Sequence, residues 1–296
     1  MDKAQSQAAG YIAGIIQAVL YATMGIFAKL LYESGLDAQL VMVLRFICTV
    51  IFLGLYILLF HERKFISRQP AVYVQSIFFF LSAWLYFLAV ERISAGLTTV
   101  LFYTFPAIVA VMNVFVFHER LTARIVIALA LSLCGIVLIS GVLSPGQGTI
   151  DLLGVALAIG ACISFAIYSV LIQKTARVES SFTATFTISL VCLAGSRVFF
   201  AGELGGLALI GPREIALGSG LSILATILPI VLYIFAIGRI GATKASIISI
   251  IETPSSLLLA WLILGETIDG FQAIGALLVV ISILTVTVKP REREGA

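Results

Sequence analysis

Charged residues are scarce in this chain of 296 residues: they make up 11% of it, whereas hydrophobic residues make up 61%. A soluble protein with so little charge could not cover its surface with polar groups. The composition therefore excludes a soluble domain and indicates that lipid is the solvent. The net charge of +3 gives no reason to expect nucleic acid as a partner, because in a membrane protein the position of the basic residues matters more than their sum.

Histidine and cysteine are also rare, with two and four residues. Cys48, Cys134, Cys162 and Cys192 lie in apolar stretches without the spacing of metal ligands, so we expect them to pack as small apolar side chains, with no disulfide and no metal site. The chain has no GxxxxGK[ST] phosphate loop, and no serine or cysteine has a credible base. We therefore expect neither an enzyme nor a cofactor.

Apolar runs of about 20 residues, the length that crosses a bilayer, fill most of the chain. Ten such runs predict an all-α integral membrane protein with transmembrane helices at residues 11–32, 38–60, 71–90, 95–117, 121–143, 150–172, 181–202, 214–237, 244–264 and 267–288. Because the first run is long and lacks a cleavage site, we expect it to remain as an anchor.

The sequence repeats itself. Small residues at Gly10, Gly14, Ala18 and Ala22 return as Gly154, Ala158, Cys162 and Ala166, and ERISAGLTT (91–99) is matched by GRIGATKAS (238–246). These matches predict two five-helix repeats, residues 1–146 and 147–296. Because five is odd, the second repeat enters the membrane from the opposite side, and such inverted repeats are typical of transporters that work by alternating access.

The loops between the predicted helices differ in charge from one side of the membrane to the other. One side receives Lys3, Arg63, Lys64, Arg68, Arg120, Arg124, Lys174, Arg177, Arg239, Lys244, Lys289, Arg291 and Arg293. The other side receives Arg92 and Arg213 beside Glu33, Asp37, Glu91, Asp151, Glu203, Glu214, Glu266 and Asp269. Because cytoplasmic loops are enriched in Lys and Arg, we expect both termini in the cytoplasm.

Several short motifs recur at matching places in the two halves. They are Leu44-Arg45-Phe46 in helix 2, Ser94-Ala95-Gly96 and Gly241-Ala242-Thr243 at the starts of helices 4 and 9, Pro106 and Pro254 within those helices, and Glu119 and Glu266 at their ends. With these motifs the chain resembles the EamA-type ten-helix members of the drug/metabolite transporter superfamily, in particular its bacterial amino-acid exporters. The resemblance implies a bacterial inner-membrane protein with a central cavity between the repeats that exports amino acids or related metabolites.

Three prolines fall near the middle of predicted helices: Pro106, Pro229 and Pro254. Proline removes one backbone donor and frees the carbonyl four residues earlier, and in lipid that carbonyl needs a partner in protein or water. These positions predict bent helices. The bends are either simple packing kinks or the wall of an aqueous cavity.

Two charged residues lie deep in predicted helices. Arg45 lies about 10 Å below the surface at 1.5 Å per residue, so it either extends to the interface beside Asp37 or binds a substrate carboxylate. Glu252 cannot reach either interface, so it is protonated, paired or wet. It either makes a structural hydrogen bond or binds a substrate cation or a coupling proton.

Trp84 and Tyr103 are aromatic residues with polar tips away from the membrane interface, and we expect them to contact a substrate; Tyr168 and Tyr233 are further candidates. The sequence thus predicts a secondary transporter that exports aromatic or other neutral amino acids, with a small molecule and the bilayer as partners, sufficient as a monomer. The alternative is an importer or exchanger, such as a nucleotide-sugar or phosphoester antiporter. An intramembrane enzyme, a channel and a scaffold are weaker alternatives.

Overall fold

The computed structural model describes residues 3–60, 65–142, 151–199, 210–265 and 267–287. These residues form ten helical spans, which confirms the predicted all-α fold of two inverted five-helix repeats. Eight of the helical segments are long and apolar enough to cross a membrane, and Ala123–Ile139 is a shorter apolar helix. Ser181–Phe199 is the remaining one of these ten helical spans. Of the loop residues discussed above, Arg63, Lys64, Glu203, Glu266, Lys289, Arg291 and Arg293 lie outside the described residues.

The first repeat contains spans 1 to 5. They are α1 (Lys3–Ala22) with α2 (Met24–Glu33), α3 (Ala38–Leu59), α4 (Pro70–Val90), α5 (Ala95–Phe102) with α6 (Phe105–Phe117), and α7 (Ala123–Ile139). The second repeat contains spans 6 to 10. They are α8 (Leu152–Thr175), α9 (Ser181–Phe199), α10 (Pro212–Ser222) with a π-helical turn (Ile223–Ile227) and α11 (Leu228–Ile240), α12 (Ala242–Ser249) with α13 (Glu252–Leu264), and α14 (Gly270–Thr287).

Four spans are interrupted, and prolines follow three of the interruptions. Pro106 and Pro229 lie in the first turns of α6 and α11, and Pro254 is the third residue of α13. A proline tolerates the first turn because the backbone N–H there has no helical partner. Span 1 breaks at Thr23 without a proline, a break that the sequence analysis missed. There the Thr23 hydroxyl donates to the carbonyl oxygen of Leu20 at 2.7 Å and competes with the helical bond.

The two repeats interlock through the small-residue stripes. The stripe of α1 packs on α11 of the second repeat, and the stripe of α8 packs on α4 of the first. A Cβ on Gly10 would lie 2.7 Å from the Cβ of Arg239, and a Cβ on Gly154 would lie 2.7 Å from the Cγ2 of Ile93. The stripes therefore exist because each repeat must bring its first helix against the other repeat at close range.

Chain direction alternates from span to span, so the loops divide between two ends of the bundle. We call the end that carries Arg68, Arg120, Arg124, Lys174, Arg177, Arg239 and Lys244 the basic face. The opposite end, which carries Glu33, Asp37, Glu91, Asp151, Glu214 and Asp269, is the acidic face.

Candidate functional site

A cavity of about 290 Å³ lies between the two repeats. Its lining includes Tyr32 and Ala38, which flank the turn between spans 1 and 2 on the acidic face, so the cavity extends toward that face. Both repeats contribute, through Arg45 and Tyr103 on one side and Glu252 on the other. The cavity is therefore formed at the centre of the duplicated fold.

Arg45 is half-buried in the cavity wall and is held by groups of the second repeat. Its Nε donates to Thr226 Oγ1 at 2.6 Å, and one terminal nitrogen donates to the carbonyl oxygen of Ala225 at 3.2 Å. The other terminal nitrogen lies 3.2 Å from the sulfur of Met24. Arg45 therefore turns inward, toward the second repeat.

The partner of Arg45 follows from the position of Pro229. Because proline has no N–H, Pro229 cannot bond the carbonyl of Ala225, four residues earlier, and the π-helical turn at Ile223–Ile227 widens the helix at the same place. The guanidinium donates to that freed carbonyl. A proline in the second repeat thus creates the acceptor that orients an arginine of the first.

Glu252 is the first residue of α13 and also lines the cavity. A carboxylate there lies at the positive end of the helix dipole, an arrangement that favours the anion. Tyr103, at the interruption of span 4, lines the same cavity, so residues from the interruptions of spans 4 and 9 face the same space. The cavity therefore carries one cationic and one acidic side chain.

Tyr168 and Tyr233 line the inner part of the cavity with their rings stacked, the centroids 6.3 Å apart. The Tyr233 hydroxyl has a partner in Ser169 at 2.9 Å. The Tyr168 hydroxyl is buried and has no hydrogen-bond partner among the residues that the structure describes. Because an unpaired buried hydroxyl is costly, this group is available to a ligand or to water in the cavity.

Aromatic rings form the rest of the wall, centred on Phe165. Its ring lies 4.7 Å from that of Phe105, 5.4 Å from that of Phe102 and 6.4 Å from that of Phe79, measured between centroids. All four rings line the cavity. The wall can therefore take an apolar or aromatic group by stacking or edge contact.

The structure brings five of the six predicted binding residues to the cavity: Arg45, Tyr103, Tyr168, Tyr233 and Glu252. Trp84 is half-buried, packs at the edge of the core, and is absent from the described lining. Tyr86, two residues further along α4, lines the cavity instead, with its hydroxyl 3.2 Å from that of Thr99. On a helix these two residues face directions about 200° apart.

The sequence analysis missed Gln17 and Tyr21, which also line the cavity. Gln17 is 2% exposed and accepts a hydrogen bond from Ser249 at 3.2 Å. A polar amide in the middle of an apolar span is a recognisable signal, because lipid would leave it unsatisfied. Tyr21 had no comparable signal, since tyrosine is common in membrane proteins.

Between the cavity and the basic face, four polar side chains form a cluster that we call the latch: Asn113, Glu119, Gln173 and Thr243. The amide nitrogen of Asn113 lies 2.9 Å from Thr243 Oγ1, 3.2 Å from Gln173 Oε1 and 3.3 Å from Glu119 Oε2. Gln173 donates to Glu119 Oε1 at 2.9 Å, and Thr243 donates to Glu119 Oε2 at 3.1 Å.

The latch joins the two repeats, because Asn113 and Glu119 belong to the first and Gln173 and Thr243 to the second. Gln173 also accepts the backbone N–H of Ala242 at 2.5 Å, which caps the start of α12. In the described part of the bundle the central cavity thus extends toward the acidic face, and the latch separates it from the basic face.

This architecture of inverted repeats around a central cavity is that of a multi-pass membrane transporter. The EamA-like transporter family matches the chain twice, over residues 8–141 and 152–288. The chain belongs to this family.

Similar proteins agree at this level. An uncharacterized transporter of Clostridium kluyveri is 26% identical over 92% of this chain and 91% of its own length, and one of Archaeoglobus fulgidus is 25% identical over 93% and 95%. One of Synechocystis sp. is 28% identical over 69% of this chain, and the match spans 62% of that relative. A crystal structure with 20% identity has a TM-score of 0.83 over 95% of this chain and 96% of its own, and shows the same fold.

Proposed function

We propose that this transporter exports amino acids by alternating access through the central cavity. The observation that carries the proposal is the convergence on one cavity of a guanidinium, a carboxylate and an unpartnered buried hydroxyl, those of Arg45, Glu252 and Tyr168. An amino acid offers a carboxylate, an ammonium group and a side chain, which are complementary to these three kinds of group and to the aromatic wall.

Arg45 retains capacity for a ligand. A guanidinium has five N–H groups, and the two oxygen acceptors of the protein, on Thr226 and Ala225, take two of them. The contact with the sulfur of Met24 is a weak one that a carboxylate would displace readily. The same bonds that fix the side chain in the wall therefore hold it ready for a substrate carboxylate.

The size and charge of the cavity favour small zwitterions over phosphoesters. A volume of about 290 Å³ is near the lower limit of ligand pockets, which run from roughly 300 to 1,000 Å³, and a nucleotide sugar needs more room. Phosphate recognition favours clustered cations. Arg45 is the one cation in the described lining, and Glu252 would repel a phosphate.

The proposed cycle exchanges the two ends of the bundle. In the structure the cavity extends toward the acidic face while the latch closes the basic face. Because the repeats are inverted copies, an alternative packing that opens the basic face is of comparable energy. A substrate that binds with similar affinity in both arrangements can enter from one face and leave at the other, and the exchange requires only that the two repeats repack.

Transport by purified protein in liposomes tests the substrate class. With a panel of labelled amino acids, sugars and nucleotides, we expect uptake of neutral and aromatic amino acids. Arg45→Gln should reduce transport of an amino acid at least tenfold more than that of its amide or its decarboxylated amine, and Arg68→Gln on the basic face serves as the matched control. Uptake confined to phosphoesters would reject the proposal, and equal losses for all substrates would assign Arg45 to packing.

Export also requires an orientation, and we propose that the basic face is cytoplasmic in a bacterial inner membrane, with both termini inside. In a cysteine-free background, Glu33→Cys should react with an impermeant thiol reagent outside intact cells, whereas Gln69→Cys should not. Both positions are exposed. Ser67 would be a poor reporter because it is 1% exposed and bonded to Glu179. The reverse labelling pattern would overturn the orientation.

A further inference from the structure

A second cavity, of about 440 Å³, lies at the basic face on the far side of the latch from the first. Its walls come from the beginning of α1, the turn between α6 and α7, the beginning of α12 and the end of α14. Both repeats thus contribute to it. The transport cavity described above does not use its cationic residues.

Three cations line this second cavity: Arg120, Arg124 and Lys244. Arg120 and Arg124 are exposed and Lys244 is half-buried, and none of the three has an ion pair or a hydrogen bond with another residue that the structure describes. Glu119 is the acidic residue of the described lining, and its carboxylate is engaged by Gln173 and Thr243. Positive charge is therefore in excess, and it comes from three different elements.

The remaining walls combine apolar and interfacial side chains, among them Ile125, Val286 and Tyr11. The wall combines cations with tyrosine and apolar groups at the end of a transmembrane bundle. At that depth in the membrane, a phospholipid presents both its phosphate and the beginning of its acyl chains. We propose that this cavity binds the phosphate headgroup of an anionic phospholipid, with Arg120, Arg124 and Lys244 as its ligands. A soluble phosphate would use the same cations, but it would gain nothing from the apolar wall.

The site shares Glu119 and Thr243 with the latch. Without a bound anion the three cations can draw the Glu119 carboxylate away from Gln173 and Thr243, to which it is bonded in this structure. A bound phosphate neutralises the cations and leaves Glu119 to the latch, so the lipid favours closure of the basic face. The proposal does not depend on which substrate the transporter carries.

Binding to purified protein in a neutral detergent tests the site, with short-chain phosphatidylglycerol, phosphatidylcholine and inorganic phosphate as probes and native mass spectrometry as the readout. Phosphatidylglycerol should bind and phosphatidylcholine should not. Arg124→Gln and Lys244→Gln should each weaken binding about fivefold, and the double variant about 25-fold, because one basic residue near a membrane surface contributes about that factor. Arg68→Gln, exposed on the same face but outside the cavity, should leave binding within about twofold.

Folding is checked separately by the melting temperature without lipid, which should be unchanged in all variants because the three side chains have no described bonds to lose. If phosphatidylglycerol binds the double variant as tightly as the parent, or if phosphatidylcholine binds equally well, the site is refuted. If millimolar inorganic phosphate displaces the lipid from the parent, a soluble anion is the occupant and the lipid assignment is wrong.

Discussion

Spans 4 and 9 are the corresponding spans of the two repeats, and they share their geometry. In each, a helix of eight residues and a helix of thirteen residues are separated by a two-residue interruption. Both second helices end on a left-handed residue, His118 in span 4 and Gly265 in span 9. Duplication has therefore preserved the backbone of these spans, including the point where each one breaks.

The side chains of the two spans differ where the chemistry lies. Glu252 at the start of α13 corresponds to Phe105 at the start of α6, and Asn113 in α6 corresponds to Ala260 in α13. One span therefore supplies an acid to the cavity and the other supplies an amide to the latch. The repeated backbone is therefore the same in both spans, and the side chains substituted on it make one span part of the cavity and the other part of the latch.

The largest effect is expected from exchanging Gly96 and Thr243, which correspond in α5 and α12. Gly96→Thr should abolish the recovery of folded protein, because a Cβ on Gly96 would overlap the carbonyl oxygen of Ser140. Thr243→Gly should fold, with the loss of two latch bonds, a buried methyl group and some helix propensity. Size-exclusion chromatography in detergent measures both, with Gly270→Ala as control because its Cβ would meet nothing within 4 Å. Normal recovery of Gly96→Thr would contradict the close packing of spans 4 and 5.

A second exchange gives span 4 the residue of span 9 at the latch. Asn113→Ala removes an amide that contacts three partners, one of them a carboxylate, and should shift the equilibrium toward an open basic face by about 2 kcal/mol, or about thirtyfold. The readout is the alkylation rate of a cysteine introduced by Ala245→Cys in a protein without its native cysteines, measured in open membrane fragments. Ala245 is a fully buried position on α12 beyond the latch.

Ser256→Ala is the control for this exchange, because its hydroxyl bonds the carbonyl of Thr253 within its own helix. It should leave the alkylation rate unchanged. An Asn113→Ala rate equal to that of the parent would show that the latch does not hold the basic face closed.

Glu252, the acid that distinguishes span 9 from span 4, should control the coupling of transport to a pH gradient. Glu252→Gln keeps the shape of the side chain but removes its titration, so the variant should bind substrate within a few-fold of the parent yet lose any acceleration by a pH gradient. Counterflow and gradient-driven uptake in liposomes separate the two properties, and Ser256→Ala again serves as control. An unchanged response to the gradient would leave facilitated diffusion as the mechanism.

The smallest effects concern the starts of α5 and α12, where Ser94 corresponds to Gly241. Ser94 caps α5 by accepting the N–H of Leu97 at 3.2 Å, whereas Gly241 has a φ of 84°. Ser94→Gly should cost a few tenths of a kcal/mol, and Gly241→Ser should cost about 1–3 kcal/mol because a φ of 84° with a ψ of 159° is a conformation that only glycine adopts readily. Thermal melting in detergent should rank the two variants in that order. The reverse ranking would show that span 9 tolerates a different backbone there.

The features that depend on residues close together in the chain could be predicted from the sequence. The ten spans follow from apolar runs, the repeats from matching segments, and the positions of three interruptions from Pro106, Pro229 and Pro254. The break at Thr23 was missed, because a hydroxyl that bonds its own backbone gives no signal beyond an ordinary threonine.

The site was readable only in part. Arg45 and Glu252 stood out because charge is costly in lipid, whereas the choice between Trp84 and Tyr86 depended on how α4 is rotated in the bundle. The latch was not predicted. Asn113 is a polar amide in an apolar span, as Gln17 is, but its contacts with Gln173 and Thr243, which lie far along the chain, depend on how the two repeats pack.

A ten-span membrane protein of two inverted repeats could be predicted from the amino-acid sequence, because hydrophobic length and repetition are local properties of the chain. Two further features depend on how the helices pack: Arg45 is held by the carbonyl that Pro229 frees, and the latch separates the central cavity from the basic face. These features depend on contacts between repeats. Such contacts are made by side chains that meet only after folding, so no local pattern in the sequence reveals them.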